Sequence, residues 1–298
     1  MHIVRYWTNI FRDAGKLWLL ENAFSYAGAL AFYTLFSLAP IVIIAVTVIG
    51  VVLGEEAAQG QIVAQFTDIM GAEAAAVVER AVSQSRIEES GVLPSVLGIG
   101  ALMLGATTVF GQMQYSLNSI WGVTASPDRN GLFLLARKRL FSLMVVLSIG
   151  FVLLVSLLFG VALRAVLNYT AEFVPFVELL LGSAEFIVSL AMISLLFATI
   201  FKVLPDVILS WKDVMAGALV TAILFSLGRY GIAAYLAYTA TASAYGAAGS
   251  MVIILLWVYY SSLILLYGAA FTRVHLQARG KSIVPRNTAV RVEKNMII

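Results

Sequence analysis

The residue with the most chemical leverage in this 298-residue chain is Arg229, the one charge past Asp213 in an apolar run from Trp211 to Tyr238. It lies sixteen residues beyond Asp213. At 1.5 Å per helical residue that is about 24 Å into a hydrocarbon layer of roughly 30 Å. A guanidinium at that depth costs a few kcal/mol unless it is paired or wetted, so it marks a candidate functional site. Glu185, seven residues into another apolar run, and Arg164, at the end of a third, are its expected neighbours near the same membrane surface. Two readings of the set stand. Arg229 and Glu185 form a structural ion pair, or Arg229 snorkels outward; alternatively, the three charges line a polar cavity of net positive charge suited to an anionic headgroup or solute.

A second polar group, Gln112, Gln114 and Asn118, falls toward the opposite surface. Such residues on a membrane helix either bond a neighbouring helix or line water. Tyr259, Tyr260, Ser261, Ser262 and Tyr267 could extend that path, or pack as belt aromatics. Pro40, inside the first apolar run, is the candidate gating kink, because it frees a backbone carbonyl about one turn earlier.

Catalytic patterns are thin. His2 and His275 stand at opposite ends of the sequence, and there is no cysteine. No Walker loop, G-x-S-x-G elbow or H-E-x-x-H motif occurs. The expectation is a protein that is not an enzyme, binds no metal and needs no cofactor.

The elements that must hold these residues follow from composition. Sixty-one percent of residues are hydrophobic and twelve percent charged, against about 25 percent charged in soluble domains. Lipid is therefore the solvent for most of the chain. Residues 1–24 place aromatic and aliphatic residues on one helical face and Arg5, Arg12 and Lys16 on the other, as an interfacial amphipathic helix does, or a cytosolic cap packed on the bundle. Residues 25–272 hold six apolar runs, at about 25–53, 92–115, 140–163, 178–201, 211–238 and 247–271. Between the first two lies a hydrophilic insert, 54–92, helical and acidic. A basic tail, 273–298, follows. With both termini on one side, that side carries fifteen of the nineteen Lys and Arg residues, all but Arg80, Arg86, Arg164 and Arg229. The positive-inside rule makes that side cytoplasmic and the insert periplasmic. The expected fold is thus all-α: a polytopic membrane bundle of six transmembrane helices with cytoplasmic termini.

Several separated stretches resemble the YihY/BrkB family of bacterial inner-membrane proteins, once labelled ribonuclease BN. They are Ala27-Gly-Ala-Leu-Ala-Phe-Tyr-Thr-Leu-Phe-Ser-Leu-Ala-Pro40, Leu117-Asn-Ser-Ile-Trp121, Leu204-Pro205, Trp211-Lys-Asp-Val, Gly217-Ala, Ser243-Ala-Tyr-Gly-Ala-Ala-Gly249, Leu256-Trp-Val-Tyr259, Gly268-Ala and Thr272-Arg-Val. The resemblance spans about residues 20–275. It implies six spans in the inner membrane, a basic residue at the position of Arg229, and a role in envelope biology. One departure is Ala270, where family members often carry an acid, so a proton-coupling role for that carboxylate does not carry over. The functional expectation is a transporter or flippase-like protein for an anionic lipid or amphiphile of the envelope. The alternatives are a non-transporting scaffold for envelope partners and an ion or small-solute channel. Membrane lipids, anionic ones foremost, are the expected partners; nucleic acid is not, and a homo-oligomer is left open.

Overall fold

The computed structural model describes residues 2–37, 108–126, 177–238 and 249–292, with 54, 60, 63, 64, 67, 75, 76 and 79 besides; for 2–3, 177–185, 233–238 and 249–250 it describes the backbone alone. The elements are α1 (His2–Leu20), α2 (23–37), α3 (108–121), β1 (Val123–Ala125), α4 (Val177–Val203), α5 (Trp211–Tyr238), α6 (Gly249–Ala278) and β2 (Ala289–Arg291). Three helical stretches are long and apolar enough to cross a membrane: Phe186–Val203, Trp211–Ile232 and Met251–Ala278. They correspond to the fourth, fifth and sixth predicted spans. The third predicted span and most of the acidic insert lie outside the described residues, as do parts of the first and second.

Helix ends follow local chemistry. α1 stops at a turn where Asn22 takes a φ of 54° and then begins α2, its carbonyl accepting the Ser25 amide at 3.0 Å. Asparagine tolerates that left-handed backbone better than most residues. α4 runs to Val203 and gives way at Leu204-Pro205, since proline cannot continue the helical ladder. α5 starts from Ser210 as a variant of the capping box. The Asp213 carboxylate accepts the Ser210 amide at 3.1 Å and its hydroxyl at 2.6 Å. α6 continues to Ala278, five residues past the expected start of the tail at 273, and closes on Gly280 at a φ of 73°.

α5 is the central helix among those described, packed on α4 and on α6. Its residues sort by helical position. Trp211, Met215, Leu219, Ile223, Leu227 and Tyr230 form an exposed apolar stripe, while Val214, Ala218 and Ala222 are buried. Phe225 continues the buried line, with Phe197 of α4 and Trp257 of α6 edge-on to its ring at 5.7 and 5.3 Å. The seam with α6 is built on glycine: a side chain at Gly217 would collide with Thr272, one at Gly268 with Thr221, and one at Gly228 with Tyr260. These pairs advance in opposite directions, so the two helices are antiparallel. Small residues let membrane helices approach closely enough for dispersion to hold them.

α1 runs antiparallel along α6. Trp7 stacks on His275 (5.4 Å) and Phe271 (6.2 Å), Tyr267 donates to the Phe11 carbonyl, and Trp18 Nε1 donates to the Leu263 carbonyl at 3.1 Å. Ile10 and Ala14 are buried against Phe271. The apolar face expected to meet lipid is therefore covered in part by α6, leaving Val4, Phe11, Leu19 and Leu20 exposed. The structure also adds strand to an expected all-α fold. β1 and β2 pair antiparallel, Val123 opposite Arg291 and Ala125 opposite Ala289, and Val207 bridges Pro285.

Candidate functional site

The inner polar group resolves into a bonded knot. Asn118 of α3 donates Nδ2 to Asp206 Oδ2 at 2.8 Å, and its Oδ1 accepts the Asp206 amide at 2.8 Å. Gln114, one turn earlier, donates to the same carboxylate at 3.3 Å and to the Leu204 carbonyl at 3.1 Å. Thr288 donates to Asp206 Oδ1 at 3.4 Å, and the Arg286 amide donates to the Asp206 carbonyl at 2.9 Å. Gln112 stays on its own helix, reaching Ser116 at 3.4 Å. Of the two readings of this group, Gln114 and Asn118 take the bonding one: their amides hold the turn between α4 and α5.

Basic residues of the C-terminal segment complete the knot. Arg286 donates to the carbonyls of Lys202 (3.1 Å) and Val203 (3.4 Å), oxygens that the end of α4 leaves without helical partners. Its charge also suits the negative end of that helix. Lys281 pairs with Asp213 at 2.5 Å. Arg273 of α6 donates to the Ile120 carbonyl at 2.6 Å, capping α3 in the same way. Its guanidinium lies 3.2–3.3 Å from where a Cβ on Gly122 would stand, and Gly122 also carries a φ of 66°. Arg291 donates to the Ile283 carbonyl. From the sequence these cations belong to a basic tail, and nothing there marks Asp206 as their neighbour. The available signal was the Leu204-Pro205-Asp206 turn, whose carboxylate and open backbone groups at a helix end call for partners.

Arg229 sits at the other end of α5. Ala218, Ala222, Phe225 and Arg229 are spaced four, three and four apart, which puts Arg229 on the line that faces α4 and α6 rather than on the exposed stripe. Its guanidinium lies 5.1 Å from the Tyr230 ring centroid and donates to the Tyr230 hydroxyl at 3.4 Å. The side chain is half-buried. Tyr260 of α6 fills the gap left by the adjacent Gly228. Arg164 and Pro40 lie outside the described residues. Glu185 belongs to α4 by backbone, but its side chain, and so its pairing with Arg229, lies outside them too. Among the described residues no cluster of three or more His, Asp or Glu could hold a metal ion.

The knot thus fixes helix ends, and Arg229 stands half-buried at the far end of α5. Comparison with known proteins gives this arrangement a family. A model described as virulence factor BrkB matches residues 18–292. The chain is 25% identical to a "UPF0761 membrane protein" of Mannheimia succiniciproducens over 83% of each chain. It is 28% identical to one of Pseudoalteromonas translucida, over 83% of this chain and 79% of that one. A "putative ribonuclease-like protein" of Bacillus subtilis is 26% identical over 87% of this chain and 92% of its own. No solved structure matches. With nearly its whole length matched and three described helices fit to cross a bilayer, the chain belongs to the BrkB family of membrane proteins.

Proposed function

We propose that the protein is an inner-membrane transporter of the flippase type, which binds an anionic lipid or amphiphile of the cell envelope through Arg229 and passes its headgroup between leaflets. The observation that carries this reading is the place of Arg229 on α5. It continues the line Ala218–Ala222–Phe225 toward neighbouring helices, in an apolar span where a cation is costly unless paired or wetted and therefore marks a functional position. Tyr230 tempers that cost through its ring and hydroxyl. Six spans, cytoplasmic termini and a supporting role for Glu185 and Arg164 belong to this proposal. So does the absence of an enzymatic step: the reading uses binding and helix movement alone.

The test is a leaflet-accessibility assay in proteoliposomes with a labelled anionic lipid. Transfer that depends on the protein and falls in Arg229→Ala supports the reading. Transfer at the protein-free rate, or unchanged in the variant, sinks it.

A second reading, a non-transporting scaffold, draws on the inner knot. Asp206, Arg286, Lys281 and Arg273 tie four helix ends and the C-terminal segment into one bonded unit, which a docking platform requires. A closed knot at one end is equally the fixed end about which helices tilt in a transporter, and the half-buried cation at the other end of α5 favours the first reading.

A further inference from the structure

The exposed stripe of α5 ends, on the knot side, at an arrangement that the Arg229 reading does not use. Lys202, in the last turn of α4, sets its ammonium 4.8 Å from the centroid of the Trp211 ring. Trp211 is 44% exposed, and Lys212 and Ser210 beside it are exposed as well. From Trp211 the stripe runs through Met215, Leu219 and Ile223 at four-residue spacing, all exposed.

The acids nearest in sequence do not neutralise these lysines. Asp213 is buried, its carboxylate held by Lys281 and by Ser210. The Asp206 carboxylate is taken by Asn118, Gln114 and Thr288. Both carboxylates are drawn into the knot and both ammonium groups are left outside it.

We propose that Lys202, Trp211 and Lys212 bind the headgroup of an anionic phospholipid of the cytoplasmic leaflet, with one acyl chain lying along Met215, Leu219 and Ile223. Tryptophan prefers the level where headgroup meets hydrocarbon, and lysine reaches its charge to that level while its stem stays in apolar surroundings. The cation above the ring fixes one donor there. Two ammonium groups without an adjacent free carboxylate among the described residues select a headgroup of net negative charge over a zwitterionic one, as basic residues beside anionic leaflets do. The apolar stripe commits the site to lipid, since a soluble anion gains nothing from it. The site is independent of Arg229, which stands eighteen residues further along α5, about 27 Å away and off the stripe.

Brominated lipids quench tryptophan on contact and so read this site directly. The protein is reconstituted in phosphatidylcholine vesicles carrying a fixed fraction of brominated phosphatidylglycerol or brominated phosphatidylcholine. Because the chain has five tryptophans, the Trp211 signal is the difference between wild type and Trp211→Phe. The expected result is apparent binding of the anionic quencher at least about threefold stronger than that of the zwitterionic one. That ratio falls to one in Lys202→Gln/Lys212→Gln and is kept in Lys202→Arg/Lys212→Arg. High salt should erase it in the wild type, a check that needs no variant. A ratio of one in the wild type, a preference that survives the glutamine pair, or one indifferent to salt overturns the proposal. Arg229→Ala keeps the ratio whether or not it abolishes lipid transfer, so the two readings fail separately.

Discussion

Thr272 of α6 occupies the space that a side chain at Gly217 of α5 would need, and one turn along each helix Thr221 does the same to Gly268. The exchange is reciprocal. Each threonine donates its hydroxyl to the carbonyl four residues back, Thr221 to Gly217 at 2.6 Å and Thr272 to Gly268 at 2.7 Å. The hydroxyl is thereby satisfied without water, and the side chain can fill the partner's gap. This lock sets the register of α5 on α6, and so the level at which Tyr260 meets Gly228 beside Arg229.

Gly217→Ala and Gly268→Ala should each destabilise the protein by about 1–3 kcal/mol, the range for overpacking a tight contact. Thermal unfolding in detergent reads this. Gly231→Ala, whose added methyl meets open space, serves as the control and should change little.

Asp206 draws together α3, the turn before α5 and the segment before β2. Removing its carboxylate leaves the Asn118 amide without its acceptor and Gln114 with the Leu204 carbonyl alone. Asp206→Ala is expected to cost about 1.5–3 kcal/mol, as for hydrogen bonds to a charged group. Limited proteolysis should then cut the chain near residues 281–292 sooner than in wild type. Equal cutting rates would mean that the segment is held by other contacts.

The Asp213–Lys281 pair is half in water, with the lysine side chain 46% and the aspartate side chain 8% exposed. A double-mutant cycle with Asp213→Asn and Lys281→Met should return a coupling of about 0.5–1 kcal/mol that shrinks with salt. Asp213→Asn alone should cost more than Lys281→Met, because it also weakens the acceptor that Ser210 uses at the start of α5.

Arg229 and Glu185 remain the proposed outer pair. Arg229→Glu and Glu185→Arg should each lower the yield of folded protein, and the double reversal should restore it if the two side chains meet. No restoration would separate them and leave Arg229 to other partners.

Much of this was legible in the sequence, and the misses have physical causes. The apolar runs of α4, α5 and α6 announce themselves because a bilayer demands about twenty consecutive apolar residues. The place of Arg229 toward the far end of α5 followed from counting residues along that run. Its facing toward the bundle was not readable, since α5 is apolar nearly all round and exposure sorts only once α4 and α6 are in place. The knot was missed for a related reason. Gln114, Asn118, Asp206, Arg286 and Thr288 are scattered through the chain, and nothing in their spacing pairs them. The ribbon of β1 and β2 joins segments more than 160 residues apart, each three residues long, too short for an alternating pattern to register. The run of positive charge after residue 272 reads only as a basic tail, whereas Arg273, Lys281, Arg286 and Arg291 close helix ends and loops.

The account turns on whether the cation at position 229 handles an anion inside the bilayer. The most direct measurement is the transfer rate of matched anionic and zwitterionic labelled lipids in proteoliposomes holding wild type, Arg229→Lys or Arg229→Gln, each first shown to fold by its thermal transition. The account predicts protein-dependent transfer of the anionic lipid in wild type, a partial rate with lysine, and at least about a tenfold loss with glutamine, the factor that corresponds to 1.4 kcal/mol of lost stabilisation. Equal rates for the two lipids in wild type, or a folded glutamine variant that transfers the anionic lipid at the wild-type rate, would contradict it.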